Sequence, residues 1–236
     1  MHPRIANRLL GSLTNAPRTG TERSAWHRAI EPVHLSRGRL LAGPDAASDD
    51  AWFPTSATVS ILYAMANGAS GEVALVGDEG VIGWSLLPGL GASRCRAVVS
   101  GEGEGFRVRA RLVAAELEGA GAPTRAMARF TEALLAQTSL TAACNRHHRL
   151  EQQLCRLLLT SLDRSPGQRL NTTHEWLATR LGVRREGVTI AVNGLRDAGA
   201  VVCRRGTIEV IDRTALEARS CECYAVAARA RERLPY

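Results

Sequence analysis

Lysine is absent from this chain of 236 residues, and all thirty basic residues are arginine. This bias fits a GC-rich coding sequence at least as well as a functional choice, so it carries no weight. No uninterrupted apolar run approaches the roughly 18 residues that a membrane-spanning helix needs. The N-terminal residues also lack the apolar core of a signal peptide. We therefore expect a cytoplasmic protein without membrane contact.

The motifs of common enzyme classes are missing as well. The sequence contains no P-loop, no Ser-His-Asp motif and no local cluster of metal ligands. Six cysteines occur, and a cytoplasmic protein keeps them reduced. The only close pair, Cys221 and Cys223, is separated by one residue instead of the two that zinc and redox motifs usually have. We expect no catalytic residue, no cofactor and no metal site.

Positive charge is concentrated in the C-terminal part of the chain. Residues 1–145 carry 14 arginines against 13 acidic residues, whereas residues 146–236 carry 16 against 10. A domain that binds the phosphates of DNA needs such an excess. The C-terminal part is therefore the expected nucleic-acid binder.

The first half of the chain predicts short helices followed by a β domain. Residues 1–30 are expected to form helices, one from Ile5 to Leu13 and one from Glu22 to Ile30. Between residues 31 and 120, short apolar runs alternate with turn signals at roughly the 8–12-residue spacing typical of an antiparallel β-barrel or jelly roll. Asn67-Gly68 is a strong hairpin signal inside this region.

A long helix is expected over residues 123–147, with Pro123 in its first turn. Its heptad positions are Met127, Phe130, Leu134, Gln137, Thr141, Cys144 and His148. A helix of this length with such an apolar seam, placed between two domains, predicts a dimerisation helix. The alternative is that the same seam packs on the protein's own β domain.

Residues 148–236 predict a winged helix-turn-helix domain. Trp176 to Arg196 has the spacing of two short helices, and Gly182 lies at the turn between them. Val201–Cys203 and Ile208–Ile211 flank a basic turn at Arg204–Thr207, as in the wing hairpin. The predicted fold class is thus α+β with two domains: an N-terminal β-barrel, a long helix and a C-terminal winged helix-turn-helix.

This order of elements, together with the sequence from Gly182 to Thr189, resembles the Crp/Fnr family of bacterial transcription regulators. Trp52–Ser56, Glu79–Gly83 and Ser93–Ala97 give weaker support in the β domain. The resemblance implies a cyclic-nucleotide-binding-like sensor domain and a homodimer. It also implies an inverted-repeat operator on double-stranded DNA and contact with RNA polymerase.

The resemblance also assigns DNA-binding positions. Arg185 and Glu186 match the Arg-Glu pair that reads bases in the family. This is chemically sound, since Arg can bond guanine O6 and N7 and Glu can accept from cytosine N4. Ile190 replaces a frequent third reader, so we expect a different sequence preference. The further predicted DNA contacts are Arg184, Thr189, Thr173, Arg204 and Arg205.

The expected effector pocket departs from the family pattern. In the cyclic-AMP receptor protein a Glu binds the ribose and an Arg-Ser pair binds the cyclic phosphate. Here Trp84 follows Gly83 at the Glu position, Arg94 is retained, and Cys95 replaces the Ser ahead of Arg96. The ribose contact is lost, although Arg94 can still meet an anion. The resemblance therefore predicts a sensor that does not bind cyclic AMP in the usual way.

Three alternatives remain open on the sequence. A DNA-binding regulator without an effector is the leading prediction. A regulator that needs a small molecule or a redox change is the second, with Cys144, in the run Cys144–His148, as the candidate thiol switch. The third is a barrel enzyme fused to a protein-interaction helix bundle, which leaves the basic C-terminal part unexplained.

Overall fold

A computed structural model describes residues 6–16, 20–44, 49–83, 95–118, 120–165 and 167–234. Two short helices come first, α1 (Arg8–Thr14) and α2 (Gly20–Ala29), close to the predicted bounds. Asn7 explains the position of α1. Its side chain accepts a bond from the Leu10 N–H and donates to the carbonyls of Pro54 and Gly80, so it caps the helix and ties it to the β domain.

Seven antiparallel strands follow within the described residues. Their bounds are β1 (Glu31–Leu35), β2 (Leu40–Ala42), β3 (Asp50–Pro54), β4 (Thr58–Ala64), β5 (Ser70–Val76), β6 (Cys95–Gly101) and β7 (Gly103–Arg109). They form one sheet in the order β1-β7-β3 and another in the order β2-β6-β4-β5. The predicted antiparallel β domain is confirmed, although the two sheets formed by the described strands do not close into one barrel. The predicted hairpin at Asn67-Gly68 joins β4 to β5.

Helices α3 (Ala110–Glu116) and α4 (Ala122–His147) follow the last strand of the β domain. Pro123 lies in the first turn of α4, as predicted. Met127 and Phe130 are buried in the core of the β domain. A Cβ atom on Gly80 would lie 2.2 Å from the Phe130 ring, so only glycine allows α4 to approach this closely.

The predicted heptad seam of α4 therefore packs on its own chain. Thr141 and Cys144 are also buried, whereas Leu135 on the opposite face is 67% exposed. The expectation that this seam faces a second protomer is wrong for these residues, because the β domain and the C-terminal helices of the same chain cover them. The alternative stated for the seam is the observed one.

The C-terminal domain is built on α5 (Leu150–Leu162), whose residues from Gln153 onward are all buried. The remaining elements are β8 (Arg169–Asn171), α6 (His174–Leu181), α7 (Arg185–Asp197), β9 (Val201–Arg204), β10 (Thr207–Val210), α8 (Arg213–Arg219) and α9 (Glu222–Glu232). The predicted wing is the hairpin of β9 and β10, and β8 adds a third strand beside β10 that the sequence did not predict. Ser220 and Cys221 separate α8 from α9.

Buried ion pairs join the two domains. Arg180 of α6 donates to both carboxylate oxygens of Glu72 on β5, at 2.6 and 3.1 Å, and also to Ser161. Arg164, just after α5, donates to Glu79 at 2.8 Å. These pairs hold the helix-turn-helix against the β domain and orient its outer surface. No described helix has the length and apolar character needed to cross a membrane.

Candidate nucleic-acid interface

The turn between α6 and α7 determines how the second helix projects from the domain. Thr173 caps α6 by accepting a bond from the Trp176 N–H at 3.1 Å. Gly182 ends α6 with φ of +67°, a left-handed conformation that other residues adopt with strain. The Val183 N–H then bonds the Ala178 carbonyl and closes the turn. The chain can therefore begin a new helix directly afterwards.

Helix α7 has one buried and one exposed face. Val188, Val192 and Leu195 are buried against α5 and α6 in the core of this domain. Ile190 on the outer face is 74% exposed. Within the described residues no element covers this outer face, as on the helix that enters a groove of DNA in helix-turn-helix proteins.

The start of α7 presents three exposed charged residues. Arg184 is the N-terminal cap residue and makes no capping bond with its side chain. Arg185 and Glu186 follow in the first turn, and both are exposed. In the described part of the chain, no ion pair or hydrogen bond engages these three side chains. Their charges are free for an external partner.

The wing brings two further arginines to the same side. Arg204 ends β9, and Arg205 lies in the two-residue turn to β10; both are exposed. A surface cleft of about 330 Å³ is lined by Thr173, Arg185 and Arg204 together with wing residues. Three residues predicted separately thus lie around one cleft, although 31 positions separate Thr173 from Arg204. Phosphate-binding and base-reading groups of a winged helix have this arrangement.

Thr189, a predicted DNA contact, has partners within the protein. Its hydroxyl donates to the Arg185 carbonyl at 3.1 Å and lies 3.0 Å from His174 Nδ1. His174 was not singled out in the sequence, and only the packing of α6 against α7 brings it to this position. The pair connects the outer parts of the two helices.

The expected effector residues are only partly described. Trp84 and Arg94 lie outside the described residues, so this pocket remains a prediction. Cys95 begins β6 opposite Tyr63 of β4, and the next residue, Arg96, is exposed. Gly83 follows the isolated bridge between Ile82 and Trp52.

Cys144, the predicted redox residue, is fully buried in the last turn of α4. Its Sγ lies 3.6 Å from Sγ of Cys221 in the same chain. A disulfide between two protomers through this residue would require α9 to move away. The sequence pattern did not reveal this contact, because 77 positions separate the two cysteines.

Comparisons with known proteins agree with this architecture. Residues 152–219 match the Crp-like helix-turn-helix domain family. No curated protein sequence matches the chain. Among solved structures, a regulator assigned to the Crp/Fnr family from Eubacterium rectale is 14% identical with a TM-score of 0.68, over 85% of this chain and 94% of that one.

Two further solved structures are similar. FixK2 from Bradyrhizobium japonicum is 14% identical with a TM-score of 0.65, over 81% of this chain and 98% of that one. A CRP-family regulator from Thermus thermophilus is 18% identical with a TM-score of 0.66, over 80% and 96% of the two chains. The chain therefore has the two-domain fold of the Crp/Fnr transcriptional regulators, with a Crp-like helix-turn-helix domain at residues 152–219, and the resemblance seen in the sequence is confirmed.

Proposed function

We propose that this protein is a homodimeric regulator that binds an inverted-repeat operator in double-stranded DNA. The observation that carries the proposal is the free Arg185-Glu186 pair at the exposed start of α7, next to the wing arginines. Arg185 reads a guanine and Glu186 a cytosine in the major groove, while Thr173, Arg184, Arg204 and Arg205 contact phosphates. We also expect the protein to contact RNA polymerase. The proposed function requires no catalytic residue.

The exposed face of α4 supports the homodimer. Leu135 is the large apolar residue of this face, and Ala128, Ser139 and Ala142 leave room for a second helix beside it. In such a dimer we expect the two recognition helices to lie about one helical turn of DNA apart, roughly 34 Å. Leu135→Glu should shift the protein towards monomer in light scattering. Ile211→Glu, at another exposed apolar position, should not.

Selection of bound sequences from a random DNA library tests the proposal directly. We expect enrichment of an inverted repeat whose half-sites contain a guanine that depends on Arg185. Enrichment of single, unrepeated sites would contradict the dimer. Failure to enrich any sequence, with and without cell extract, would contradict sequence-specific reading.

A cavity favours an effector-dependent version of the same function. A mostly apolar cavity of about 220 Å³ lies between β5, α4 and α9, lined by residues that include Phe130, Leu134, Val226 and Leu234. It touches both domains, so an occupant would alter their contact. A similar fold occurs in CLP from Xanthomonas campestris, described as c-di-GMP responsive (15% identity, TM-score 0.60). Native mass spectrometry of the purified protein should reveal a retained small molecule, and Leu134→Trp should displace it.

A further inference from the structure

Four potential metal ligands meet where α4 ends and α9 begins. Cys144 lies in the last turn of α4 and His148 is its C-terminal cap residue. Cys221 is the residue just before α9, and Cys223 lies in the first turn of α9. The three Sγ atoms and one imidazole nitrogen all lie within 4.8 Å of one another. Cys144, Cys221 and Cys223 are buried, and His148 is partly buried.

Two of the distances between these ligand atoms fit one tetrahedral ion. A Zn–S bond of about 2.3 Å places two sulfur ligands of a tetrahedron about 3.8 Å apart. The Cys144 and Cys221 Sγ atoms are 3.6 Å apart, and Cys223 Sγ is 3.7 Å from His148 Nδ1. A disulfide requires about 2.05 Å between the sulfurs. An iron–sulfur cluster carries several metal and sulfide atoms between its ligands, and a group this narrow does not enclose them.

Neighbouring charges suit a metal-bound histidine and three thiolates. His148 Nε2 lies 3.3 Å from Glu222 Oε1, so Nδ1 is left for the metal, as in carboxylate–histidine–zinc arrangements. Burial raises the pKa of the Cys144 thiol, while the buried Arg156 guanidinium acts in the opposite direction. Arg156 Nε has no hydrogen-bond partner within the described residues. Its charge offsets the single negative charge of a divalent ion with three thiolates and a neutral imidazole.

We propose that Cys144, His148, Cys221 and Cys223 bind one zinc-class divalent ion as a structural site. Four protein ligands leave no open position for a substrate, which is the pattern of structural zinc. Binding displaces the thiol protons, so metal uptake weakens as the pH falls.

The site connects the elements on which the domain arrangement depends. His148 forms the break between α4 and α5, where the DNA-binding domain joins the β domain. At the other end of α9, Arg231 pairs with Asp78 and Glu79 of the β domain. An ion that fixes the start of α9 to the end of α4 therefore restrains this junction. Its loss should loosen the C-terminal helix without touching Arg185.

Metal content of the full chain tests the site. Protein purified without a polyhistidine tag, under reducing conditions, should carry close to one zinc per chain by inductively coupled plasma mass spectrometry. After removal with a chelator, Co²⁺ should restore the visible bands of tetrahedral thiolate coordination. Cys223→Ser should weaken zinc binding by more than about 100-fold and Glu222→Gln by about 10-fold. Cys203→Ser, in the wing, is the matched control and should bind like the wild type.

Wild-type results alone can overturn the proposal, so it does not depend on the folding of any variant. If the reduced, stripped wild type takes up neither Zn²⁺ nor Co²⁺, the site does not exist. Equal loss of zinc in Cys203→Ser and Cys223→Ser would also contradict it. His148→Cys provides rescue: it should retain zinc and change the cobalt spectrum towards four thiolates, while His148→Ala should lose the metal.

Discussion

Two groups of arginines in the C-terminal domain have opposite environments. Arg180 and Arg164 are buried at the domain contact and each is paired with a glutamate of the β domain. Arg184 and Arg185, only a few residues after Arg180, are exposed and unpaired within the described residues. Net charge alone does not distinguish the groups. In the buried pairs the glutamate neutralises the charge of the arginine, and the pairs stabilise the domain arrangement. The exposed arginines are the ones available to phosphates and bases.

The difference predicts that the two groups fail in different ways when they are truncated. A buried carboxylate that loses its partner remains desolvated and destabilises the folded state. An exposed arginine that is removed leaves the fold intact and lowers only the affinity for DNA. Unfolding measurements test the buried pairs and DNA-binding measurements test the exposed arginines, so either half of the comparison can fail.

Arg180→Ala should have the largest effect. It leaves Glu72 buried without its bidentate partner and should lower the free energy of unfolding by about 3–5 kcal/mol. Urea denaturation followed by circular dichroism measures this. Arg184→Ala, four residues later, is the control and should change stability by no more than about 0.5 kcal/mol. Similar midpoints for the two variants would break the comparison.

Arg185→Ala should leave stability unchanged and weaken binding to the selected operator by about 1–3 kcal/mol, with little change on random DNA. Fluorescence anisotropy with both DNAs measures this. Arg196→Ala, in the last turn of the same helix, should retain the operator preference. An equal loss on operator and random DNA would assign Arg185 to phosphate contact instead of base reading.

Arg204→Ala should have a smaller effect that does not depend on sequence. Loss of one phosphate contact should reduce the slope of log affinity against log salt by about 1. Titrations at several salt concentrations on operator and random DNA measure this. An unchanged slope would place Arg204 outside the interface, and a loss confined to the operator would make it a base reader.

Glu79→Gln should have an effect that becomes smallest in acid. Burial raises the pKa of Glu79, but the Arg164 and Arg231 charges outweigh it and hold the pKa below the ordinary 4.5. This contribution to stability is therefore present above pH 4.5 and is lost as the pH falls towards the lower pKa of the folded state. The stability gap between wild type and variant should narrow below about pH 4.5 in urea denaturation. A gap that is constant with pH would exclude the ion pair.

Much of the fold was predictable because its signals are local. The strands follow short apolar runs, the β4–β5 hairpin follows Asn67-Gly68, and the helix-turn-helix follows Gly182 with apolar residues at helical spacing. The pattern of α4 was predicted as well, but not its partner. An apolar stripe shows only that a face is buried. Met127 and Phe130 can pack equally well against a β sheet or against a second helix. Strand β8 was missed because three residues, Arg169–Asn171, are too few to show an alternating pattern.

The candidate interface was predicted more fully than the cysteine cluster for the same reason. Arg184, Arg185 and Glu186 are adjacent in sequence, and their exposure follows from the periodicity of α7. The spacing of Cys221 and Cys223 by itself argued against a metal site. The other two proposed ligands, Cys144 and His148, lie at the end of a helix that is distant in the sequence. Nothing in the local pattern indicates that α9 returns to α4.

The sequence by itself determined the helix-turn-helix, its basic character and the residues at the start of α7, because helix spacing, turn glycines and neighbouring charges act over a few positions. The tertiary structure alone decided which arginines are neutralised, which face of α4 remains exposed, and that Cys144 and His148 meet Cys221 and Cys223. These outcomes depend on contacts between residues as far apart as Glu72 and Arg180, separated by 108 positions. Packing of whole elements, and not the local preference of any segment, brings such residues together.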